Sequence, residues 1–194
     1  MLPRQAAPTR PDPPDAVGTE LATAPWWPGP LLFCGVGVVV WAVLSLSVAH
    51  LPWSSHPRPG YFPGQPWLEG WVQWDAGWYH SIAERGYSYV PGRQSAVAFF
   101  PAYPLAMRAG RTLVGDSLLA GILVTLGAGM ALATLLWSWL RERLSTPAAG
   151  TAMGLFLLYP YAYYLFGAVY ADALFLAAVL GAFVLLERGH PWWA

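Results

Sequence analysis

Long apolar runs separated by short polar segments dominate the chain after its N-terminal region. Residues 31–51 contain no Asp, Glu, Lys or Arg, and about 20 such residues in a helix cross the hydrocarbon core of a bilayer. Three further runs, at residues 117–140, 148–166 and 173–186, have the same character. A cleaved signal peptide is the competing interpretation of the first run, but that run is too long and too far from Met1. The pattern predicts an all-α polytopic membrane protein with about four transmembrane helices.

Two segments lack this apolar pattern. Residues 1–30 contain eight prolines and no apolar period, so we expect a disordered tail. Residues 52–116 form a large loop between the first two spans. The membrane domain then comprises residues 31–194, that loop included.

The composition indicates a bilayer protein and excludes several other classes. Only 10% of the residues are Asp, Glu, Lys or Arg, whereas a soluble domain carries about 25%. The net charge is zero and no basic block is present, so nucleic acid is not an expected partner. Cys34 is the single cysteine, and neither a metal-ligand spacing nor a glycine-rich nucleotide fingerprint appears. No metal or bound cofactor is predicted.

Arginines near the ends of the runs determine the expected orientation. Arg141, Arg143 and Arg188 follow the second and fourth runs, and arginine in short segments favours the cytoplasmic side. The N-terminal tail is then cytoplasmic, while the 52–116 loop and the turn at residues 159–172 lie outside. We therefore expect a multi-pass protein of the cell membrane with an extracytoplasmic first loop.

The external loop contains the sequence WVQWDAGWYHSIAERGYSYVP at residues 71–91. Asp75 is suited to begin a helix as its N-cap, and Gly86 is suited to end it in the left-handed conformation. Apolar residues recur here at steps of three and four, the spacing of one helix face. The stripe consists of Trp71, Trp74, Trp78 and Ile82. We expect an amphipathic helix that lies in the membrane interface with its indoles at headgroup level.

Asp75 has two interpretations at this stage. As an N-cap, its carboxylate would only satisfy backbone N–H groups of the first turn. Pinned beside two indoles at the membrane surface, it would be partly desolvated and better suited to act as a base. The residues His80, Glu84 and Arg85 are explained by a solvated face with one i,i+4 pair.

The sequence AVAFFPAYPLAMRAGR follows in the same loop, at residues 96–111. Pro101 and Pro104 interrupt an apolar run that is too short to span, so we predict a re-entrant or interfacial segment that leads into a helix near Pro104. The alternatives are a plain turn and an apolar face that receives a lipid chain, with Arg108 and Arg111 nearby.

A third sequence, YPYAYYLFGAVYADALF at residues 159–175, contains another acidic residue of interest. Asp172 stands at the head of the fourth apolar run, where an acid is either a cap favoured by the helix dipole or a functional group. Under the expected topology Asp75 and Asp172 share the external side. Their convergence is the main physical indication of a site.

Together, the stretches WDAGWYHSIAERGY, FFPAYPL and YPYAYYLFGAVYADALF resemble the bacterial relatives of the GPI mannosyltransferase 2 (PIG-V) family, which are GT-C superfamily membrane glycosyltransferases. The resemblance covers roughly residues 31–188. It implies a partial GT-C-type fold and transfer of a mannosyl or other hexosyl unit from a polyprenyl-phosphate carrier to an extracytoplasmic acceptor. It also implies that Asp75 is the catalytic residue. The family usually has a glutamate in the third motif, where this chain has Asp172.

The same resemblance suggests which residues bind the donor. An inverting transfer needs one carboxylate to take the proton of the acceptor hydroxyl, and Asp75 is assigned that role. The donor-binding candidates are Arg85, Arg93, Trp78, Tyr79, His80 and Asp172. Arginine is suited to the departing phosphate, with Arg85 as the first choice, and the aromatic rings are suited to stacking on sugar faces.

Members of this superfamily have more spans than the four counted here, so we expect the chain to be the N-terminal portion of such an enzyme. Its expected partners are the lipid bilayer, the polyprenyl-phosphate donor and a glycan or glycolipid acceptor. The alternative is a non-catalytic membrane scaffold that holds a lipid or partner through the aromatic loop, in which case Asp75 is only a cap. Half of a transporter is disfavoured, because the second and third runs have no charged residue in their interiors.

Overall fold

The computed structural model describes residues 25–50 and 60–193. These residues form helices and 3-10 turns, and no strand occurs among them. The α-helices are α1 (Pro28–His50), α2 (Pro66–Glu69), α3 (Ala76–Arg85), α4 (Ala102–Val114), α5 (Ser117–Arg141), α6 (Thr146–Leu158) and α7 (Asp172–Glu187). The 3-10 turns are Ala96–Ala98, Pro160–Leu165 and Pro191–Trp193. The predicted all-α class is confirmed for this part of the chain.

Two of these helices, α1 and α5, are long and apolar enough to cross a membrane. They have 23 and 25 residues, which corresponds to about 35 and 38 Å at the rise of an α-helix. In the most apolar stretch of each helix, 11% of α1 but 44% of α5 is buried. α5 is therefore the central helix, and α1, α4, α6 and α7 all pack against it.

The third and fourth predicted spans are shorter than expected. α6 has 13 residues and α7 has 16, so they rise only about 20 and 24 Å. The run at residues 148–166 is not one helix, because Tyr159 adopts an extended backbone before Pro160 and the chain continues as a 3-10 turn. Sterically, the residue before a proline is disfavoured in the helical conformation. Within the described ranges the structure thus has two helices of spanning length, whereas the apolar pattern predicts four spans.

The first span begins earlier than predicted, at Pro28 rather than Leu31. Proline is accepted there because the first N–H groups of a helix have no partner within it. The last three residues of the predicted tail are therefore helical and not disordered. Residues 1–24 of that tail and residues 51–59 of the predicted loop lie outside the described residues.

A tight turn at Gly115 and Asp116 joins α4 to α5. Gly115 has φ 82°, in the left-handed region that favours glycine. Asp116 is extended, with φ −132° and ψ 132°, and its side chain accepts a hydrogen bond of 2.7 Å from the Leu119 N–H. This side-chain cap starts α5 at Ser117, the residue at which the apolar pattern also begins.

An ion-pair network joins the C-terminal ends of α5 and α7. The pairs are Arg143–Glu187 at 2.6 Å, Arg188–Glu142 at 3.1 Å and Arg143–Glu142 at 3.3 Å. The Arg143 guanidinium also lies 4.2 Å from the centre of the Trp139 ring. Because α5 and α7 pack together and meet at their C-termini, they run parallel, and Ser117 and Asp172 lie at the opposite end.

Exposed indoles surround the end of the bundle at which α5 and α7 terminate. The start of α1 is tied to it by a hydrogen bond of 2.9 Å from the Trp137 Nε1–H to the Pro25 carbonyl. The indoles and their exposed fractions are Trp26 (65%), Trp27 (53%), Trp192 (94%) and Trp193 (81%). Tryptophan is enriched at membrane–water interfaces, so this end has the composition of an aromatic belt.

Candidate functional site

α3 occupies the predicted position between Asp75 and Gly86, but it packs through a different face than predicted. Gly86 ends the helix with φ 82° and ψ −172°, so its φ is positive although it is not in the left-handed helical region. The buried side chains of α3 are Ala76, Tyr79, Ile82 and Ala83. Trp71 lies before the helix and is buried, whereas Trp74 is 71% exposed. The predicted tryptophan stripe is therefore wrong, because its members do not share one helix face.

Two arginines from α4 hold the C-terminal end of α3. Arg108 donates to the Ala83 carbonyl at 2.8 Å and to the Ile82 carbonyl at 3.1 Å, and the Ile82 carbonyl also accepts from the Gly86 N–H that closes the helix. Arg111 pairs with Glu84 at 2.5 Å. A hydrogen bond from the Ser117 hydroxyl, followed by the charge of Arg111, lowers the pKa of Glu84. Glu84 thus contacts neighbouring helices and is not part of a purely solvated face.

Asp75 occupies the N-cap position of α3 without capping it through its side chain. Its backbone carbonyl accepts from the Trp78 and Tyr79 N–H groups, but its carboxylate makes no cap hydrogen bond. The backbone explains this, because φ −76° and ψ −6° are helical values, whereas a capping residue is usually extended. The side chain is exposed, so the desolvation expected between two indoles is absent. The carboxylate is available for other chemistry.

Backbone strain lies directly before this aspartate. Trp74 has φ 47°, and among the described residues it is the non-glycine residue with positive φ. Such a conformation costs on the order of 1–3 kcal/mol in a bulky residue and persists only where surrounding contacts hold it. The exposed indole does not repay that cost by burial. This turn determines the direction in which the chain enters α3, and the hydrogen bonds on either side of it must hold it in place.

Three hydrogen bonds tie the segment before α3 to the turn before α7. They run from Tyr163 Oη to the Gly70 carbonyl (2.7 Å), from the Val169 N–H to the Trp71 carbonyl (3.0 Å) and from the Asp75 N–H to Tyr170 Oη (2.9 Å). Rings reinforce the tie, because Trp71 stacks on Tyr163 at 5.1 Å. The third bond places Tyr170, two residues before Asp172, directly against Asp75.

Asp75 and Asp172 both lie close enough to Tyr79 and Tyr170 for their charges to affect the pKa of these two hydroxyls. Burial raises the pKa of Tyr79 to about 12, and the charges of Asp172 and then Asp75 contribute to that rise. Burial also raises the pKa of Tyr170, with both carboxylates among the smaller causes. Asp172 is exposed in the first turn of α7, where the helix dipole favours its charge. Asp75 and Asp172 thus lie in one region of the structure, and their common position outside the membrane stays a prediction.

Tyr79 is a structural residue rather than a sugar-stacking one. It is 9% exposed, and its ring meets Phe99, Tyr103 and Tyr170 edge to face at 5.1 to 6.0 Å. With its ring enclosed by protein, it has no free face for a sugar. Trp78 is half-buried and stacks on Phe99 at 6.0 Å.

The arginines predicted for the phosphate are not brought to Asp75. Arg85 is the last residue of α3, so about 15 Å of helix separates it from the N-cap, and it donates to Ser81 on its own helix. Arg93 is exposed in the turn that follows Val90, and no contact within the described residues joins its side chain to Asp75. Arg85 thus lies at the opposite end of α3 from Asp75, and its role toward the phosphate stays a prediction.

His80 faces the start of α5 rather than open solvent. Its Nδ1 lies 2.9 Å from Ser117 Oγ, and its ring meets Tyr61 edge to face at 5.9 Å. In residues 25–50 and 60–193, no group of three or more His, Cys, Asp or Glu side chains is placed to hold a metal ion.

Sequence reasoning missed Tyr170 and Thr125. The Thr125 hydroxyl is fully buried, contacts the Tyr103 hydroxyl at 2.8 Å and donates to the Ala168 carbonyl at 2.8 Å. It thereby holds the turn that carries Tyr170. Thr125 could have been found from the sequence, because it is a polar residue within an apolar run and a buried hydroxyl needs a hydrogen-bond partner.

In comparisons with known proteins, no family model, no curated protein and no solved structure matches the chain. The resemblance to the PIG-V family therefore rests on the three motifs quoted above. The interpretation of the site rests on the geometry of Asp75, Tyr170 and Asp172.

Proposed function

We propose that the chain belongs to a multi-pass membrane glycosyltransferase that moves a mannosyl or other hexosyl unit from a polyprenyl-phosphate carrier to an extracytoplasmic acceptor. The supporting observation is the exposed Asp75 carboxylate, which stands at a helix N-terminus without capping it. The Tyr170 hydroxyl accepts from its N–H and holds its backbone in place, next to the strained turn at Trp74. A carboxylate fixed in this way but left unused by the fold is what a general base requires.

In the proposed reaction Asp75 accepts the proton of an acceptor hydroxyl. The hydroxyl oxygen attacks the anomeric carbon of the donor sugar and forms the new glycosidic bond. The bond between that carbon and the phosphate oxygen breaks, and its electron pair leaves with the polyprenyl phosphate. A single displacement of this kind inverts the anomeric centre, and proton transfer to a positioned carboxylate contributes about 10²- to 10⁴-fold to its rate.

Asp172 has a supporting role in this proposal. When it is ionised, its carboxylate accepts hydrogen bonds but donates none. It is therefore suited to sugar hydroxyls rather than to the phosphate. Tyr170 is a positioning residue, because its hydroxyl accepts from the Asp75 N–H and leaves the carboxylate unengaged. The resemblance supports Asp75 more strongly than Asp172, since the family usually has a glutamate in the third motif.

The membrane arrangement completes the proposal. We place α1, α5, α6 and α7 across the bilayer as its four spans. Asp75 and Asp172 lie on the outer side, at the end of the bundle opposite Arg143 and Glu187. A lipid-linked donor then reaches the site from the leaflet, without a soluble nucleotide-sugar domain.

The test is Asp75→Asn in the complete enzyme, with sugar transfer measured from a polyprenyl-phosphate donor. Asparagine keeps the size of the side chain but does not accept the proton, so transfer is expected to fall about a hundredfold or more. Asp116→Asn is the matched control, because this second aspartate also precedes a helix and asparagine caps equally well there. A folded Asp75→Asn protein with full transfer activity would contradict the proposal and favour the membrane scaffold.

A further inference from the structure

α4 exposes an apolar stripe on the side that faces away from the rest of the protein. Leu105 is 57% exposed and Leu113 is 87% exposed, and exposed Ala109 lies midway between them. Residues four apart share one helix face, so these three side chains form a line along α4. The opposite side is buried through Tyr103 and Met107. The stripe is therefore not the core face of the helix.

The apolar surface continues beyond the N-terminal end of α4. Phe100 is 83% exposed and Val97 is 63% exposed. A shallow cavity of about 270 Å³ opens among these residues. It is lined by Tyr87, Val97, Ala98, Phe99, Phe100 and Pro101. Neighbouring exposed apolar side chains of this kind are typical of an interaction site.

The connection to α5 determines what covers this surface. α4 ends at Val114, and α5, which is long and apolar enough to cross a membrane, begins at Ser117. The C-terminal end of α4 therefore lies within two residues of the point where the chain enters the bilayer. A helix of 13 residues extends about 20 Å from that point.

The two arginines of α4 are directed away from its apolar stripe. Arg108 and Arg111 are directed to α3, where they bond to the Ala83 carbonyl and to Glu84. On the helical wheel they lie on one side of the exposed surface, and the stripe of Leu105 and Leu113 lies on the other. A helix with an apolar face and cations along its polar side is typical of the membrane interface.

We propose that α4, packed beside α5 through Tyr103 and Met107, directs its outer stripe of Leu105, Ala109 and Leu113, together with Phe100, to the lipids at the boundary between headgroups and acyl chains of a phospholipid leaflet. This replaces the expectation that α3 is the interfacial helix, since the apolar face of α3 is covered by protein. The inference concerns the membrane surface and does not depend on the proposed sugar transfer.

The experiment uses spin labels on single cysteines in the full chain, reconstituted in phospholipid vesicles with Cys34 replaced by serine. Labels at Leu105, Ala109 and Leu113 report on the stripe, and a label at Arg111 reports on the opposite edge of the same helix. Arg111 is a suitable control because its surface ion pair contributes little to stability. The measured quantity is collision with oxygen, which concentrates in lipid, relative to a water-soluble nickel chelate.

We expect the three stripe labels to collide with oxygen and to be shielded from nickel, while the Arg111 label collides with nickel several times more often. Equal nickel collision at all four positions would overturn the proposal, because the stripe would then face water. Shielding of the stripe from both reagents would also overturn it, since protein would then cover the face. Dipolar broadening between labels would identify a second copy as that protein.

Discussion

Asp75 and Asp116 each stand directly before a helix, but only Asp116 caps its helix with its side chain. Asp116 has an extended backbone, and its carboxylate accepts a hydrogen bond from Leu119. Asp75 has a helical backbone, and its carboxylate makes no cap bond. The helix start is therefore stabilised locally at Asp116, whereas Asp75 is held by Tyr170, a residue from a distant part of the chain. An aspartate at a helix start is a cap only if its own φ and ψ allow it to be one.

The largest expected effect tests the distant support of Asp75. Thr125→Val removes a buried hydroxyl that bonds to both the Ala168 carbonyl and the Tyr103 hydroxyl. Loss of these two hydrogen bonds, each worth about 0.5–1.5 kcal/mol, should lower the free energy of unfolding by about 1–3 kcal/mol. Detergent unfolding titrations measure that loss, and Thr125→Ser is the control that keeps the hydroxyl. Hydrogen exchange at the Asp75 amide should become faster, while the Leu119 amide, bonded to Asp116, should exchange as before. Equal acceleration at both amides would show that the two regions are not separate.

A smaller effect compares the two aspartates directly. Asp116→Ala removes a side-chain cap and should lower the free energy of unfolding by about 1 kcal/mol. Asp75→Ala removes no cap bond and should change it by much less. Both variants are measured in the same detergent unfolding titration. Equal losses would mean that Asp75 caps α3 in solution, which would break the comparison.

The smallest effect concerns the strain at Trp74. Glycine adopts positive φ without steric cost, whereas alanine keeps much of the strain. We expect Trp74→Gly to be more stable to unfolding than Trp74→Ala by about 0.5–1 kcal/mol, because only glycine adopts this φ without strain. Both variants lose the same exposed indole, so its loss cancels in the comparison. Thermal unfolding of the two variants measures the difference. A more stable alanine variant would indicate that Trp74 relaxes to negative φ in solution.

The helices were predictable where local signals determine them. The apolar run at residues 117–140 matches α5 because the Asp116 cap begins the helix at its first residue. α3 was predictable from Asp75 and Gly86, since the glycine does adopt a positive φ. The break at Tyr159 inside the third run was also encoded by Pro160, but the apolar period concealed it.

The site was only partly predictable, because its determinants are not local. The face of α3 that packs depends on α4 and α5, so spacing alone favoured a tryptophan stripe that does not form. The positive φ of Trp74 is imposed by surrounding contacts, and no rule for a bulky residue predicts it. The bond from the Asp75 N–H to Tyr170 joins residues far apart in sequence, which no motif specifies.

The ion-pair network at the ends of α5 and α7 has a consequence for lipid selectivity. Residues 141–143 and 187–188 carry three arginines and two glutamates, so their net charge is +1. Attraction to anionic headgroups is worth about 1 kcal/mol for each uncompensated cation near the surface. The folded end therefore gains about 1 kcal/mol from such lipids instead of the threefold larger amount that its arginines would give alone. We therefore expect headgroup charge to matter less for membrane binding of this end than the exposed indoles of Trp26, Trp27, Trp192 and Trp193, which are suited to the interface.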